Sequence, residues 1–123
     1  MNWFSTVFQN SRDKGQYYEQ LAQKYLISQG LTPVTCNFWC KLGEIDLIMQ
    51  DKKTWVFIEV KYRKSQRYGG ANVAFTTQKQ QRLRRAIEHY IQLNQLQNSP
   101  LRVDFIAING QNPYQFNWFK NVL

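Results

Sequence analysis

Residues 43–63 read GEIDLIMQDKKTWVFIEVKYR, and this stretch decides the fold. Two segments rich in apolar residues, 44–49 and 55–62, are joined by a short polar connection at 52–54, a pattern that predicts two neighbouring strands of a meander. The second run is apolar at almost every position, which is typical of a central strand buried on both faces. Glu59 and Lys61 interrupt this apolar run. Because burying a charge is unfavourable unless it is paired or bound, the two residues indicate an ion pair or a binding site.

Helical periodicity predicts one helix before this meander and one after it. The predicted elements are helices at 14–29 and 78–96, and further strands at 34–40, 103–108 and 116–119. Asp13 is the expected N-cap of the first helix and Gly30 its stop, and a tight turn containing Gly43 joins the first two strands. The fold class is therefore α/β, a mixed β-sheet flanked by helices. Its core order is α-β-β-β-α-β, and one more strand can follow.

The length of 123 residues fits one domain. Residues 14–123 are expected to form it, and residues 1–13 to form an N-terminal segment that is docked or flexible. No apolar run reaches the ~18 residues that span a bilayer, and the start of the chain lacks the pattern of a signal peptide. No membrane partner is expected, and the predicted location is cytoplasmic.

Cys36 and Cys40 lie four residues apart in a predicted strand. At ~3.3 Å per residue they are about 13 Å apart, too far for a mutual disulfide. With His89 as the only histidine, no ligand set for structural zinc is present. Both cysteines are expected to be buried, reduced thiols, which agrees with a reducing cytoplasm.

The charge balance points to a polyanionic partner. Sixteen Lys and Arg against eight Asp and Glu give a net charge of +8, and nucleic acid is the first candidate. A basic balance alone also fits ribosome-associated or membrane-surface proteins.

Strand alternation places Glu59 and Lys61 on one face of their strand, and Glu44, Asp46 and Ile48 on one face of the preceding strand. At ~4 Å, Asp46 and Glu59 repel each other by about 4 kcal/mol at an effective dielectric of about 20. A divalent cation held by both carboxylates removes this cost; a cross-strand ion pair with Lys61 is the alternative. Glu44 lies at the turn, where solvent exposure and metal contact both remain open.

A cation held by Asp46 and Glu59 activates water and offsets charge on a phosphate. Lys61 is expected to orient that water or stabilise the transition state. The candidate catalytic residues are thus Asp46, Glu59 and Lys61, in a site of nuclease type.

Cations and aromatic residues surround this site in sequence. The candidate nucleic-acid-binding residues are Arg63, Lys64, Arg67, Gln78, Lys79 and Arg82; the alternative is a solvated helix face. The candidate base-stacking residues are Tyr62, Tyr68 and Phe75, for which local packing is the alternative. Arg102 and Asp104 share a strand face and are expected to form a structural ion pair.

The pattern of an aspartate, a short spacer and Glu-x-Lys resembles the catalytic signature of the PD-(D/E)XK, or restriction-endonuclease-like, superfamily. The blocks GEIDLI at 43–48, EVKYR at 59–63 and RVDF at 102–105, with the segment 15–19, resemble the YraN family of bacteria. The resemblance covers about residues 14–108. Ile45 stands where the superfamily signature has proline, which removes no ligand.

This resemblance implies a restriction-endonuclease-like core similar to archaeal Holliday-junction resolvases, which cut branched DNA as dimers. It implies that Asp46, Glu59 and Lys61 are the catalytic trio and that Glu19 is a further acidic member. The bland alternative for Glu19 is a carboxylate favoured in the first turns of a helix.

The predicted function is a Mg²⁺- or Mn²⁺-dependent DNA endonuclease, resolvase-like on branched DNA. A homodimer is implied by analogy, and RNA remains open as a substrate. The rival is a catalytically silent nucleic-acid-binding or adaptor protein with a nuclease fold.

Overall fold

The computed structural model describes residues 11–64 and 75–123, which form two helices and five strands. The elements are α1 (Ser11–Ser28), β1 (Thr32–Cys40), β2 (Gly43–Asp51), β3 (Thr54–Arg63), α2 (Thr77–Leu93), β4 (Leu101–Gly110) and β5 (Tyr114–Phe119). The strands form one sheet in the order β1-β2-β3-β4-β5. Neighbouring strands are antiparallel except β3 and β4, which are parallel because α2 crosses over between them.

This architecture confirms the α/β class. The observed order is α-β-β-β-α-β-β, which includes the additional late strand, and it is consistent with the restriction-endonuclease-like fold. The helix α1 begins at Ser11, which already lies inside the predicted N-terminal segment. Within the described ranges, no helix combines the length and the apolar character needed to cross a bilayer.

Each face of the sheet packs on one helix. Leu26 of α1 lies in a buried cluster with Val56 and Ile58 of β3, whereas Leu83 of α2 lies in a second cluster with Phe57. Alternate residues of β3 therefore face opposite helices, as expected of a buried central strand. Full burial of an aliphatic or aromatic side chain contributes roughly 1.5–3 kcal/mol, so these clusters hold β3 firmly between the helices.

The ends of the helices differ from the prediction by a few residues. Asp13 lies in the first turn of α1 and is not its N-cap, because the helix begins two residues earlier. Gly30 ends α1 as predicted: its φ is 105° and its amide donates to the Ile27 carbonyl at 3.0 Å. The helix α2 ends at Leu93, before the predicted residue 96.

The cysteines are both free, but Cys36 is exposed and Cys40 is half-buried. The expectation of buried thiols was wrong because β1 is an edge strand, and most of its residues are exposed on both faces. An apolar run cannot reveal by itself that its strand lies at an edge.

Arg102 and Asp104 form the predicted ion pair. The Arg102 Nε lies 3.1 Å from Oδ1 of Asp104, which is fully buried. Arg102 also pairs with Asp51 at 2.9 Å. The indole of Trp118 and the amide of Asn121 both donate to Asp104 at 2.9 Å. The pair therefore joins β4 to the end of β2, to β5 and to the C-terminal residues.

Candidate active site

The site lies where β2 and β3 separate. The two strands pair from Leu47↔Ile58 to Asp51↔Thr54. At the next position of β2, the Asp46 Oδ2 accepts a hydrogen bond from the amide of Val60 at 2.8 Å. The Asp46 carboxylate thus accepts the hydrogen bond that a backbone carbonyl of the neighbouring strand would accept in a regular sheet. This bond satisfies the Val60 amide and fixes the carboxylate between the separating strands.

Strand alternation breaks at Asp46. Ile45 and Ile48 pack in one buried cluster, although strict alternation places residues three apart on opposite faces. Asn37, with a φ of 55°, lies between the β1 residues that pair with Leu47 and Ile45, and the neighbouring Phe38 packs against the same cluster as Ile45. The prediction that Glu44, Asp46 and Ile48 share one face was therefore wrong for Ile48, because this irregularity interrupts the alternation after Asp46; Glu44 and Asp46 do lie together.

Three carboxylates meet at this irregularity. Glu19 of α1, Glu44 and Asp46 each offer a carboxylate oxygen, and these atoms all lie within 4.8 Å of one another. Glu19 thus points toward the sheet, and its role in the site stays a prediction. Its Oε1 is buried and has no hydrogen-bond partner in the part of the chain that the structure describes. Glu44 is exposed and nevertheless belongs to the group.

The surroundings of Glu19 and Asp46 favour the neutral forms of these two carboxylates. Burial, followed by the charge of Asp46, raises the pKa of Glu19 from its ordinary 4.5 to about 9. Burial also raises the pKa of Asp46, although the Val60 amide, Glu19 and Lys61 oppose the shift. A site that raises the pKa of adjacent acids is one in which a cation is strongly favoured.

Glu59 and Lys61 form the second part of the site. The Lys61 Nζ lies 3.3 Å from Glu59 Oε1, and the two side chains are 25% and 12% exposed. Burial and the charge of Asp46 raise the pKa of Glu59 to about 7, although Lys61 opposes the shift. The predicted trio therefore lies together, but Glu59 is bound to Lys61 and lies outside the group of three carboxylates.

Two adjoining cavities run across the strand ends. One, of about 540 Å³, includes Glu59, Lys61 and Lys79 in its lining; the other, also about 540 Å³, includes Glu19. Trp39, Glu44 and Asp46 line both. Together the cavities form one cleft from α1 to α2, which we call the acidic cleft.

Residues 18–108 match the model of the Uncharacterised protein family UPF0102. A UPF0102 protein of Pseudoalteromonas translucida strain TAC 125 is 55% identical over 122 residues, which is 99% of both chains. The chain belongs to the UPF0102 family. UPF0102 proteins of Colwellia psychrerythraea strain 34H and Aliivibrio salmonicida strain LFI1238 are 47% and 43% identical, over 91% and 93% of this chain and 89% and 94% of their own.

UPF0102 membership confirms the resemblance to the YraN family, since the two names denote one family. The names of these relatives state no activity. The matched range contains both parts of the site, from Glu19 to Lys61, and the whole of α2. The acidic cleft thus lies in the region that defines UPF0102 membership.

The predicted nucleic-acid-binding residues of this UPF0102 protein divide into those that line the cleft and those that do not. Lys79 and Arg82 line it, as does Lys41 of the β1–β2 turn, which the sequence analysis missed. The charge of Lys61 is the main cause that lowers the pKa of Lys79, so these two ammonium groups lie close. Gln78, Arg63 and Lys64 are exposed and do not line it, and Arg67 lies outside the described residues.

Two of the predicted base-stacking residues are packed inside this UPF0102 fold. Tyr62 stacks on Tyr18 with ring centroids 3.7 Å apart and donates its hydroxyl to the Gly110 carbonyl at 3.0 Å. Phe75 stacks on Phe105 at 4.9 Å. Tyr62 and Phe75 therefore pack locally, which was the alternative to base stacking. Tyr68 lies outside the described residues.

Proposed function

We propose that this UPF0102 protein is a divalent-metal-dependent endonuclease that hydrolyses phosphodiester bonds in DNA. The observation that carries the proposal is the acidic cleft, in which Glu19, Glu44 and Asp46 lie beside Lys61. The cleft is also lined by Lys41, Lys79 and Arg82, which we call the basic rim. The PD-(D/E)XK signature of Asp46, Glu59 and Lys61 supports the same chemistry.

The donor set fits a hard cation. Glu19 Oε1 is a buried oxygen that finds no hydrogen-bond partner among the described residues, and such an atom is satisfied by a metal ion. Carboxylate oxygens are the ligands that Mg²⁺ and Mn²⁺ prefer. Glu19, Glu44 and Asp46 would hold the ion, and Glu59 adjoins them as the further predicted ligand. A bound ion of this kind lowers the pKa of a coordinated water and offsets charge on the scissile phosphate.

The side chains of the chain supply positioning and proton transfer. The Val60 amide fixes the Asp46 carboxylate. Glu59 holds the Lys61 ammonium at 3.3 Å, where it can donate to a phosphate oxygen or orient a water. With a pKa of about 7, Glu59 can accept a proton from water near neutral pH.

The basic rim positions the substrate. Lys41, Lys79 and Arg82 line the cleft and bind phosphates of the substrate backbone. The exposed residues Arg63, Lys64 and Gln78 would extend this surface beyond the cleft, and Arg67 is a further phosphate-binding candidate from the sequence. The likeness of the superfamily to junction resolvases favours branched DNA, and a homodimer supplies two sites for cutting two strands. The proposed location is the cytoplasm.

The second candidate function is nucleic-acid binding without turnover, as an adaptor. The observation that favours it is the direct Glu59–Lys61 ion pair, in which each charge already satisfies the other. RNA is a substrate that the same basic rim also accepts.

The test incubates the purified protein with end-labelled four-way junction, flap, single-stranded and duplex DNA, and with an RNA of matched sequence, plus Mg²⁺ or Mn²⁺. Asp46→Asn and Lys61→Ala are each expected to reduce cleavage at least about 100-fold, the scale of one essential electrostatic contact. Glu88→Gln and Lys53→Ala remove exposed charges outside the cleft and are expected to cut as the wild type does.

Circular dichroism checks that all variants are folded. Cleavage that persists in Asp46→Asn and Lys61→Ala contradicts the nuclease proposal and indicates a contaminant. Junction binding without cleavage by the wild type in either metal supports the adaptor function instead.

A further inference from the structure

Trp39 is the most exposed large apolar side chain among the described residues, at 70%. It belongs to β1, pairs with Glu44 of β2, and lines both cavities of the acidic cleft. Leu42, in the turn that follows, lines the cleft as well and is 51% exposed. An apolar tip thus projects into water directly beside the carboxylates, where an unbound large apolar surface is unfavourable.

The backbone that carries Trp39 is anchored on both sides. Phe38 and Cys40 turn inward and pack against the cluster beneath α2, and the Phe38 ring meets Tyr90 edge-on with centroids 5.1 Å apart. Cys40 pairs with Gly43. A Cβ on Gly43 would lie 2.7 Å from the Arg82 carbonyl oxygen, so the hairpin lies directly against α2. The indole is therefore a preorganised platform on a fixed hairpin.

The chemistry around the indole specifies its ligand. Lys41, Lys79 and Arg82 line the same cavity as Trp39, so a planar apolar face is combined with several positive charges. Phosphates satisfy the charges and a nucleobase satisfies the face. A base inside a regular duplex is covered on both faces by its neighbours, and therefore only an unpaired or unstacked base can use this platform.

We propose that Trp39 stacks on an unpaired nucleobase whose phosphate lies in the acidic cleft. The substrate class is then nucleic acid with a single-stranded or distorted segment at the cleavage point. This inference rests on the proposed function for the place of the scissile phosphate. The stacking itself needs no turnover and is tested without it.

The first experiment measures binding in EDTA, which removes divalent ions and prevents cleavage. Fluorescence anisotropy gives the affinity of each variant for labelled single-stranded DNA, a four-way junction and a blunt duplex at one salt concentration. Trp39→Ala is expected to weaken binding of the single strand and the junction by about tenfold or more, the scale of one base stacked on one aromatic ring. Binding of the duplex changes by less than about twofold, because phosphate contacts dominate it.

Two variants serve as controls. Trp39→Phe keeps an aromatic face and is expected to retain most of the affinity that Trp39→Ala loses. Phe119→Ala removes another exposed aromatic ring, 42% exposed, from β5 at the opposite edge of the sheet, and is expected to bind like the wild type. A single strand with 2-aminopurine next to the cleft-bound phosphate adds a direct readout, because stacking quenches its fluorescence and Trp39→Ala should relieve the quenching.

Equal weakening of all three ligands by Trp39→Ala, no change in any of them, or no binding of the single strand by the wild type overturns the inference. The inference is also overturned if analytical ultracentrifugation finds a dimeric wild type and a monomeric Trp39→Ala variant with unchanged single-strand affinity. That result would assign the platform to contact with a second copy of the chain.

The two proposals fail separately. Selective loss of single-strand binding in Trp39→Ala, in a protein that cuts nothing, supports stacking and contradicts the nuclease. Cleavage that depends on Asp46 but not on Trp39 supports the nuclease and contradicts stacking.

Discussion

At the scale of the single residue, the burial of Glu19 beside Asp46 links proton binding to stability. The pKa of Glu19 is about 9 in the folded chain, against an ordinary 4.5. Between these two pH values the folded state holds a proton that the unfolded state has released. The folded state binds more protons there, so the free energy of unfolding falls as the pH rises through this window.

Glu19→Gln removes this dependence because glutamine does not titrate. We expect the variant to unfold at a higher temperature than the wild type at pH 8 in EDTA, and the difference to shrink as the pH approaches 4.5. We also expect it to lose most of the rise in melting temperature that Mn²⁺ gives the wild type. Differential scanning fluorimetry from pH 4.5 to 9, with EDTA or Mn²⁺, measures both effects.

Glu88→Gln, an exposed position on α2, is the control and should behave as the wild type does. A Glu19→Gln variant that Mn²⁺ stabilises fully would remove Glu19 from the metal ligands.

The sequence singled out candidate site residues but did not predict their surroundings. Glu59 and Lys61 stood out because charges interrupt a run that is otherwise apolar. The direction of Glu19 depends on how α1 packs on the sheet, and the exposure of Trp39 and Cys36 depends on β1 being an edge strand. These are tertiary properties that a local pattern does not contain.

At the scale of the element, the approach of the β1–β2 hairpin to α2 sets the width of the acidic cleft. Gly43 permits this approach, since an added Cβ would lie 2.7 Å from the Arg82 carbonyl oxygen. That distance is to backbone, which cannot move aside as a flexible side chain can.

Gly43→Ala is therefore expected to lower the free energy of unfolding by about 1–3 kcal/mol, the usual cost of overpacking. Gly15→Ala is the matched control, because Gly15 lies in α1 and a Cβ there meets nothing within 4 Å. It should raise stability by up to about 1 kcal/mol through helix propensity. Urea denaturation of the two variants and the wild type measures the difference, and a stable Gly43→Ala would contradict the close approach.

The order and type of the elements followed from periodicity, but the break of alternation at Asp46 did not. Strict strand alternation predicted that Glu44 and Ile48 lie on one face of β2. The positive φ of Asn37 and the separation of β2 from β3 change that assignment. Asparagine is one of the few residues that tolerate a positive φ, and this was the one local signal in the sequence.

At the scale of the whole molecule, the net charge of +8 predicts that the proposed binding of nucleic acid depends on salt. Only part of that charge lies at the cleft, where Lys79 and Arg82 line the cavity. We expect the variant Lys79→Ala/Arg82→Ala to reduce the slope of log affinity against log salt by about 1.4 for single-stranded DNA, which is ~0.7 for each phosphate contact.

Titrations of binding between 50 and 300 mM salt, in EDTA, give this slope. Lys24→Ala/Lys53→Ala removes the same charge from exposed positions on α1 and the β2–β3 turn, and should change the slope by less than half as much. Equal slopes for the two double variants would place the phosphate contacts elsewhere on the molecule.

The parallel pairing of β3 with β4 also bears on how the protein is made. The β3 strand, which presents Glu59 and Lys61, pairs with β4 over the nine positions from Trp55↔Leu101 to Arg63↔Asn109. A nascent chain leaves the ribosome from its N-terminus, so all the carboxylates of the cleft emerge before β4 does. Until then the β3 edge that faces β4 is open, and the strand that carries Glu59 and Lys61 is held in the sheet by β2 alone. Assembly of the acidic cleft is therefore expected to be complete only after β4 has been synthesised.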